Sequence, residues 1–329
     1  MTQSFANRNL DMQNELVNEI LKLKEKLGAV ILAHNYQAPE IQDLADFVGD
    51  SLKLAQVASQ TPAEVIVFCG VRFMAETAKI LNPDRLVLLP DKDAGCSLEE
   101  SCPAEKLAEL QKSNPNFYTI AYINCSAEVK AISDIICTSG NAELIVSSAP
   151  VHKDILFVPD ENLGQWVMER TGRKMTLWPG NCYLHVQFRS EEILKLKSNH
   201  PEAKIVVHPE AVREVRALAD VVCSTEKMIA YCKQSSAREF IVVTDSGILH
   251  RLKKECPDKI FMTPPVFDAM HAPTDPCRCA ECKYMRMNTL EKLLKCMQTL
   301  QPRIELSREL ITRARVPIDR MLSVTAGSK

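Results

Sequence analysis

Nine short apolar runs, separated by stretches of helical periodicity, organise the chain. They are AVILA (29–33), VIVF (65–68), LVLL (86–89), YTIAYI (118–123), ILFV (155–158), MTLW (175–178), KIVV (204–207), FIVV (240–243) and KIFMT (259–263). Each is a nearly unbroken apolar stretch, and each ends in a polar or Gly/Pro-containing turn. Strands covered on both faces have this appearance, so the runs predict parallel sheets flanked by helices.

The runs sort into three sets of three that resemble one another. The first members open HNYQAPEIQDLADFVGDS, NCSAEVKAISDIICTSGNA and HPEAVREVRALADVVCSTEKM. In each, His or Asn follows the strand, then comes an Asp in apolar surroundings, then Ser or Thr. Asp46, Asp134 and Asp220 align, as do Ser51, Ser139 and Thr225. The second members lead into CGVRFMAETAKIL, PDENLGQWVMERTG and TDSGILHRLKKECPD. The third lead to cysteine: LVLLPDKDAGC ends at Cys96, TLWPGNC at Cys182, and FMTPPVF runs on to CRCAEC, Cys277 to Cys282. A repeat of this kind decides the fold class. It predicts α/β architecture, with three pseudo-symmetric small three-layer α/β domains whose parallel sheets surround a central site. The expected domains are 1–113 with an N-terminal helix (about 9–27), 114–200, and 201–329 with C-terminal helices. Ligands of open α/β sheets bind beyond the carboxyl ends of the strands, and every polar motif named above lies at such an end.

With 46% hydrophobic and 25% charged residues, the 329-residue chain has the composition of a soluble globular protein. A net charge of -2 without a basic block argues against nucleic acid as the main partner. The first thirty residues lack an apolar signal region and no eighteen-residue apolar run occurs. The expectation is a cytoplasmic protein with no membrane partner. Thirteen cysteines are many for such a chain, and their spacing suggests no disulfide framework. Cys69, Cys125, Cys137, Cys223, Cys232 and Cys296 lie in or beside apolar segments and read as packing residues, while Cys102 and Cys256 read as loop or surface thiols.

If Cys96, Cys182 and one thiol of CRCAEC converge, three thiolates select zinc or an iron–sulfur cluster. Zinc wants a fourth ligand, and His185 follows Cys182 by three residues. A [4Fe–4S] cluster on three cysteines leaves one iron open as a Lewis acid. Ser97 with Glu100, and Asn288 with Glu291, have capping-box spacing, which predicts helix starts near Cys96 and Cys282 that favour thiolate. CRCAEC alone also fits a local zinc clip or a redox pair in a non-enzymatic module.

Taken together, AHNYQAPEIQDLADFVGDSL, CGVRFMAETAKIL, YIN with SAEVKA, TSGNA, PDENLG, HPE, STEKM and CKYMRMNTLEKL resemble the quinolinate synthase family, in order, from about residue 29 to 315. The resemblance implies an oxygen-sensitive [4Fe–4S] cluster at the centre of three α/β domains, with one cysteine from each. It implies a condensing synthase of the transferase class that joins iminosuccinate to dihydroxyacetone phosphate. Phosphate and water leave, and quinolinate enters NAD (pyridine nucleotide) biosynthesis. An L-aspartate oxidase or dehydrogenase would supply the iminosuccinate, and iron–sulfur assembly machinery the cluster. By motif the metal ligands are Cys96 in DAGC, Cys182 in PGNC and Cys282 in CKYM, with Cys277 and Cys279 accessory. Tyr36, Glu210 and His185 take proton-transfer roles. His34, Ser51, Tyr122, Asn124, Ser139, His208, Glu210 and Thr225 bind substrate, which fits a dicarboxylate that needs donors at the strand ends. The chain departs from the family's usual pattern in the C-x-C spacing, at Cys125 and Gly140, and at Asp245, where T-E-x-G commonly carries Glu. An aconitase-like hydro-lyase with the same cluster is the alternative activity.

Overall fold

A computed structural model describes residues 2–266 and 280–327, so Cys277 and Cys279 lie outside the described residues. The protein is α/β, with three parallel four-stranded sheets and helices between the strands. The first sheet contains β1 (Ala29–His34), β2 (Phe47–Gly49), β3 (Val65–Cys69) and β4 (Leu86–Leu88) in the order β2-β1-β3-β4. The second repeats that order as β6-β5-β7-β8, from β5 (Phe117–Tyr122), β6 (Ile135–Cys137), β7 (Asp154–Val158) and β8 (Met175–Leu177). The third repeats it again as β10-β9-β11-β12, from β9 (Lys204–Val207), β10 (Val221–Val222), β11 (Glu239–Val243) and β12 (Ile260–Met262). The nine apolar runs are the three central and outer strands of each sheet.

The remaining strand of each sheet, β2, β6 or β10, two or three residues long, lies within the segment read as the turn and helix after the first run. Each begins directly after the aligned aspartate, and the aspartate explains why so short a segment pairs. Asp46 donates its N–H to the Ile31 carbonyl and accepts the Ile31 N–H on Oδ2 at 2.8 Å. Asp134 does the same with Thr119 at 2.7 Å, and Asp220 with Ile205 at 2.8 Å. A carboxylate thus continues the ladder where the strand itself stops. Hydrogen bonds to a charged acceptor are stronger than neutral ones, so three residues suffice.

The chain forms two compact units, residues 1–95 with 283–307 and residues 96–282 with 308–329. In the first unit, Ile20 and its neighbours on the helix Thr2–Leu27 pack with Leu290, Leu293, Leu294 and Met297 of the helix Leu290–Thr299 over β1 and β3. That N-terminal helix begins earlier than its periodicity suggested. In the second unit, one apolar cluster joins the second and third repeats: Leu184, Phe188 and Ile193 pack with Ile205, Val207, Ile241 and Val243. The helix Arg308–Ala326 lies against β6, where Arg320 donates to the Asp134 carbonyl at 2.7 Å and Asn141 to Thr325 Oγ1 at 2.9 Å. No helix among the described residues is long and apolar enough to cross a membrane.

Three local expectations need correction. Cys102 and Cys256 are buried, because each ends a helix at a point where the chain turns back into the core. Ser97 does not cap its helix: Cys96 occupies the cap position of Ser97–Ser101 and makes no side-chain cap bond. Asn288 instead donates to the Gly70 carbonyl at 2.8 Å, and Thr289 caps Leu290–Thr299 by accepting the Lys292 N–H.

Removing one strand-extending carboxylate tests its contribution. Asp134→Ala leaves the Thr119 N–H without its partner and is expected to cost about 1–3 kcal/mol. A lower midpoint of urea unfolding measures it; an unchanged midpoint would show that water replaces the carboxylate at no cost.

Candidate metal centre

Past the third strand of every sheet in chain order, β3, β7 or β11, the backbone makes one recurring hydrogen bond. Three residues beyond β3, the Arg72 N–H donates to the Ala94 carbonyl at 2.8 Å. Three residues beyond β7, Glu161 donates to Gly180 at 2.9 Å, and three beyond β11, Ser246 donates to Ala280 at 2.7 Å. Two residues after those carbonyls stand Cys96, Cys182 and Cys282. The bond therefore selects Cys282 from CRCAEC as the structural counterpart of the other two thiols. In the second repeat the approach is close enough to require glycine. A Cβ at Gly180 would lie 2.5 Å from the Pro159 carbonyl and would overlap Ser101 Oγ.

Cys96, Cys182 and Cys282 all belong to the second compact unit, and Cys182 and Cys282 pack against the same apolar cluster. Their sulfurs are half-buried. Burial, above all, pushes the Cys96 thiol well above its usual range, and the nearby Cys282 adds to the rise. The N–H groups of Glu99 and Leu98, at the start of the short helix, partly oppose it. Cys182 is likewise raised, by burial first, then by the Glu210 charge and by both other thiols. Cys282 thus acts on both Cys96 and Cys182, and Cys96 acts on Cys182, as neighbouring thiols do. Ser97 ties two of the loops together. Its hydroxyl accepts the Tyr183 N–H at 3.1 Å and donates to the Asn181 carbonyl at 3.3 Å, straddling Cys182.

Beside Cys182, a buried polar network forms at the strand ends of the second and third repeats. His185 follows the cysteine on a single 3-10 turn, His185–Gln187. Its Nδ1 lies 2.8 Å from Glu210 Oε2 and 3.2 Å from Cys182 Sγ, and its Nε2 lies 2.8 Å from Thr244 Oγ1. The short contact to a carboxylate assigns the proton to Nδ1, so that Nε2 accepts from Thr244. Tyr122, the last residue of β5, donates its hydroxyl to Glu210 Oε1 at 2.6 Å. The His208 ring stacks on His185 with centroids 4.8 Å apart, and its Nε2 lies 3.3 Å from Ser139 Oγ. Burial alone would raise the Glu210 carboxyl, but the His185 and His208 rings and the His185 and Tyr122 hydrogen bonds outweigh it and hold the group well below the usual carboxylate range.

Asp160 shows the opposite outcome. It is fully buried; one oxygen caps the helix Glu161–Thr171 by accepting the Leu163 N–H at 2.8 Å, and the other has no hydrogen-bond partner. Burial first, and the charge of Glu210 second, raise Asp160 well above the usual range. Two neighbouring carboxyls are thus held in different states, Glu210 ionised and Asp160 protonated.

Of the residues singled out in the sequence, Tyr122, Ser139, His185, His208 and Glu210 meet in this network. Thr225 is buried as the first residue of the helix Thr225–Gln234, and the Asn124 side-chain oxygen is buried without a hydrogen-bond partner. His34, Tyr36 and Ser51 belong to the first unit. There the His34 Nδ1 accepts the Tyr36 N–H at 3.2 Å, as the His208 Nδ1 accepts the Glu210 N–H at 3.4 Å, so Tyr36 and Glu210 hold equivalent places in their repeats. Ser51 opens the helix Ser51–Gln60 as Thr225 opens its own. Thr244, Asp245, Asp160 and Ser97 were not picked out as site residues. Thr244, Asp245 and Asp160 lie just beyond the third strands of their sheets, a strand end at which the sequence shows no recurring residue type.

The donor set fits the iron–sulfur group that the motifs imply: three thiols on equivalent loops, soft ligands with the buried Glu210 carboxyl beside Cys182. Cys182 Sγ, His185 Nδ1 and Glu210 also lie within 4.8 Å of one another, close enough to hold a single ion.

Residues 18–323 match the family described as quinolinate synthetase A protein (NadA). A protein named quinolinate synthase from Prochlorococcus marinus (strain MIT 9303) is 51% identical over 95% of this chain and 92% of its own length. Another from Microcystis aeruginosa is 51% identical over 95% of this chain and 96% of its own. A third, from Nostoc sp. (strain PCC 7120), is 48% identical over 98% of this chain and 99% of its own.

The state of Asp160 has a consequence for stability. Its folded pKa stands above the unfolded value of about 3.9, so its contribution is complete below about pH 4. It is lost as the pH rises towards the folded value, by up to about 1.4 kcal/mol per pH unit. Asp160→Asn removes that loss. Urea unfolding between about pH 4.5 and 7.5 should show the variant gaining on the native protein as the pH rises. A constant difference would mean that Asp160 is ionised in the fold.

Proposed function

The chain belongs to the quinolinate synthase family, and from that premise we propose that it condenses iminosuccinate with dihydroxyacetone phosphate to make quinolinate. One phosphate and two waters leave, and the atoms balance with no oxidant or reductant. The observation that carries the reading is the recurring backbone bond that sets Cys96, Cys182 and Cys282 at equivalent places, one in each repeat. We take the repeats, at 1–113, 114–200 and 201–329, as the domains that present those loops.

In this proposal the three thiols hold a [4Fe–4S] cluster, which supplies a Lewis-acidic iron when bound. The chain's own residues supply the rest. Condensation, tautomerisation and loss of two waters need a proton acceptor that is ionised at neutral pH. Glu210 has that property because two histidines and a tyrosine hydroxyl favour its charged form. Tyr122 and His185 hold the two Glu210 oxygens in place, and His185 can return a proton through Nδ1. Tyr36, in the equivalent position after His34, is proposed as the acid partner. A dicarboxylate substrate calls for neutral donors. His208 offers its Nε2 proton and Ser139 and Thr225 offer hydroxyls, while the unpartnered Asn124 Oδ1 can accept from a substrate N–H or O–H. His34 and Ser51 are assigned to substrate by family motif. The iminosuccinate would come from an L-aspartate oxidase or dehydrogenase, and the cluster from iron–sulfur assembly machinery, in the cytoplasm.

Anaerobically reconstituted protein, given iminosuccinate and dihydroxyacetone phosphate, should release quinolinate and phosphate in equal amounts. Glu210→Gln should lower kcat by about 10²–10⁴-fold while iron content stays that of the native protein. Cys96→Ala, Cys182→Ala and Cys282→Ala should each abolish cluster absorbance, and Cys277→Ala should preserve it. Dehydration of a hydroxy acid with no phosphate released, or iron retained in all three ligand variants, would sink the proposal.

A further inference from the structure

The tripeptide Thr244-Asp245-Ser246, directly after β11, grips its surroundings with every residue. Thr244 engages His185, and the Ser246 N–H holds the Ala280 carbonyl. Between them, Asp245 is fully buried; its Oδ1 accepts the Gly247 N–H at 2.8 Å and its Oδ2 accepts the Cys282 N–H at 2.6 Å. We propose that Asp245 is a positioning residue for the third thiol: its carboxylate fixes the Cys282 backbone and thereby aims the sulfur.

The three repeats show why a side chain is recruited here. The common bond holds each cysteine loop at the carbonyl two residues before the thiol. The Cys96 and Cys182 loops gain a second restraint from each other through the Ser97 hydroxyl. Cys282 gains its second restraint from Asp245. The equivalent residue in the first repeat is Val71, which has no acceptor, and in the second it is Asp160, which caps a helix instead. Groups that orient a metal ligand without touching the metal commonly change metal retention by about 10–100-fold.

The proposal rests on the reading of Cys282 as a ligand, so the test includes a readout that needs no metal. In the apoprotein, Asp245→Asn keeps the shape but offers a single acceptor oxygen to two N–H donors. Alkylation of Cys282 by iodoacetamide, followed residue by residue by mass spectrometry, should accelerate at least about tenfold, in line with the loss of an orienting group. Alkylation of Cys96 and Cys182 should hold its native rate. Asp245→Glu, which keeps the carboxylate, should restore slow labelling. Asp134→Ala, weakened elsewhere in the same unit, controls for general loosening. In reconstituted protein, Asp245→Asn should release iron to a chelator about tenfold faster and alter the electron paramagnetic resonance of the reduced cluster, while Asp134→Ala should do neither. Native labelling at Cys282 in Asp245→Asn, or equal acceleration at all three thiols or in Asp134→Ala, would overturn the proposal. Faster Cys282 labelling alongside full iron in Cys282→Ala would uphold the tether and refute the ligand assignment instead.

Discussion

The candidate centre depends on a single backbone hydrogen bond made three times. In a parallel α/β sheet the chain leaves each strand at the same edge, and the turn after the third strand exposes an N–H that the following helix cannot use. Here that N–H reaches the loop after the fourth strand and takes its carbonyl, at Ala94, Gly180 and Ala280. Such a bond is made by backbone groups alone and uses no side chain. It is strict about one thing, the number of residues between the carbonyl and the thiol. Loops that otherwise differ in length and composition can therefore deliver sulfur to matching places. Gly180 marks where the constraint is tightest, since its backbone runs against the Pro159 carbonyl with no room for a methyl group.

Burial then sets the chemistry of what those loops surround. Two carboxyls and three thiols in desolvated surroundings cannot all be charged. The hydrogen-bonding groups gather on Glu210, through His185, His208 and Tyr122, and Asp160 is left to burial. Asp160 still serves its helix, because an oxygen can cap it without carrying charge. Burial pushes the Cys96 and Cys182 thiols up in the same way, so a bound cation is what would compensate their thiolates.

Much of this could be read from the residues, and the limits have physical causes. The nine strands of the apolar runs were visible because each lies in a largely apolar stretch between turns. The strands β2, β6 and β10 were not, since each falls inside a segment that reads as turn and helix; only the aligned aspartates hinted at them. Cys96 and Cys182 stood out by position in the repeat, and Cys282 needed the family motif, because CRCAEC offers three thiols and spacing alone cannot rank them. The buried state of Cys102 and Cys256 was missed because both follow helices in polar stretches, and tertiary packing decides their exposure. Ser97 and Asn288 matched the capping-box spacing and yet serve partners far away in sequence, at Asn181 and Tyr183 and at Gly70. A local motif says which bonds a side chain can make, and long-range geometry says which it does make.

The threefold pattern also separates what the repeats share from what they have made different. Strand order, the aspartate that extends the edge strand, and the bond before each cysteine are common to all three, and each is a property of backbone geometry or of one carboxylate beside it. The residue two places past the third strand is not common: it is Val71, Asp160 or Asp245. Those three side chains start from equivalent backbone positions and reach a core, a helix start and a cysteine N–H respectively. The same holds after the first strand, where Tyr36 and Glu210 occupy matching places with unlike chemistry. A symmetric scaffold can hold three equivalent ligands, but an asymmetric reaction needs an acid, a base and donors at different points around them. Divergence confined to side chains at fixed backbone positions supplies that asymmetry without disturbing the loops that carry the thiols.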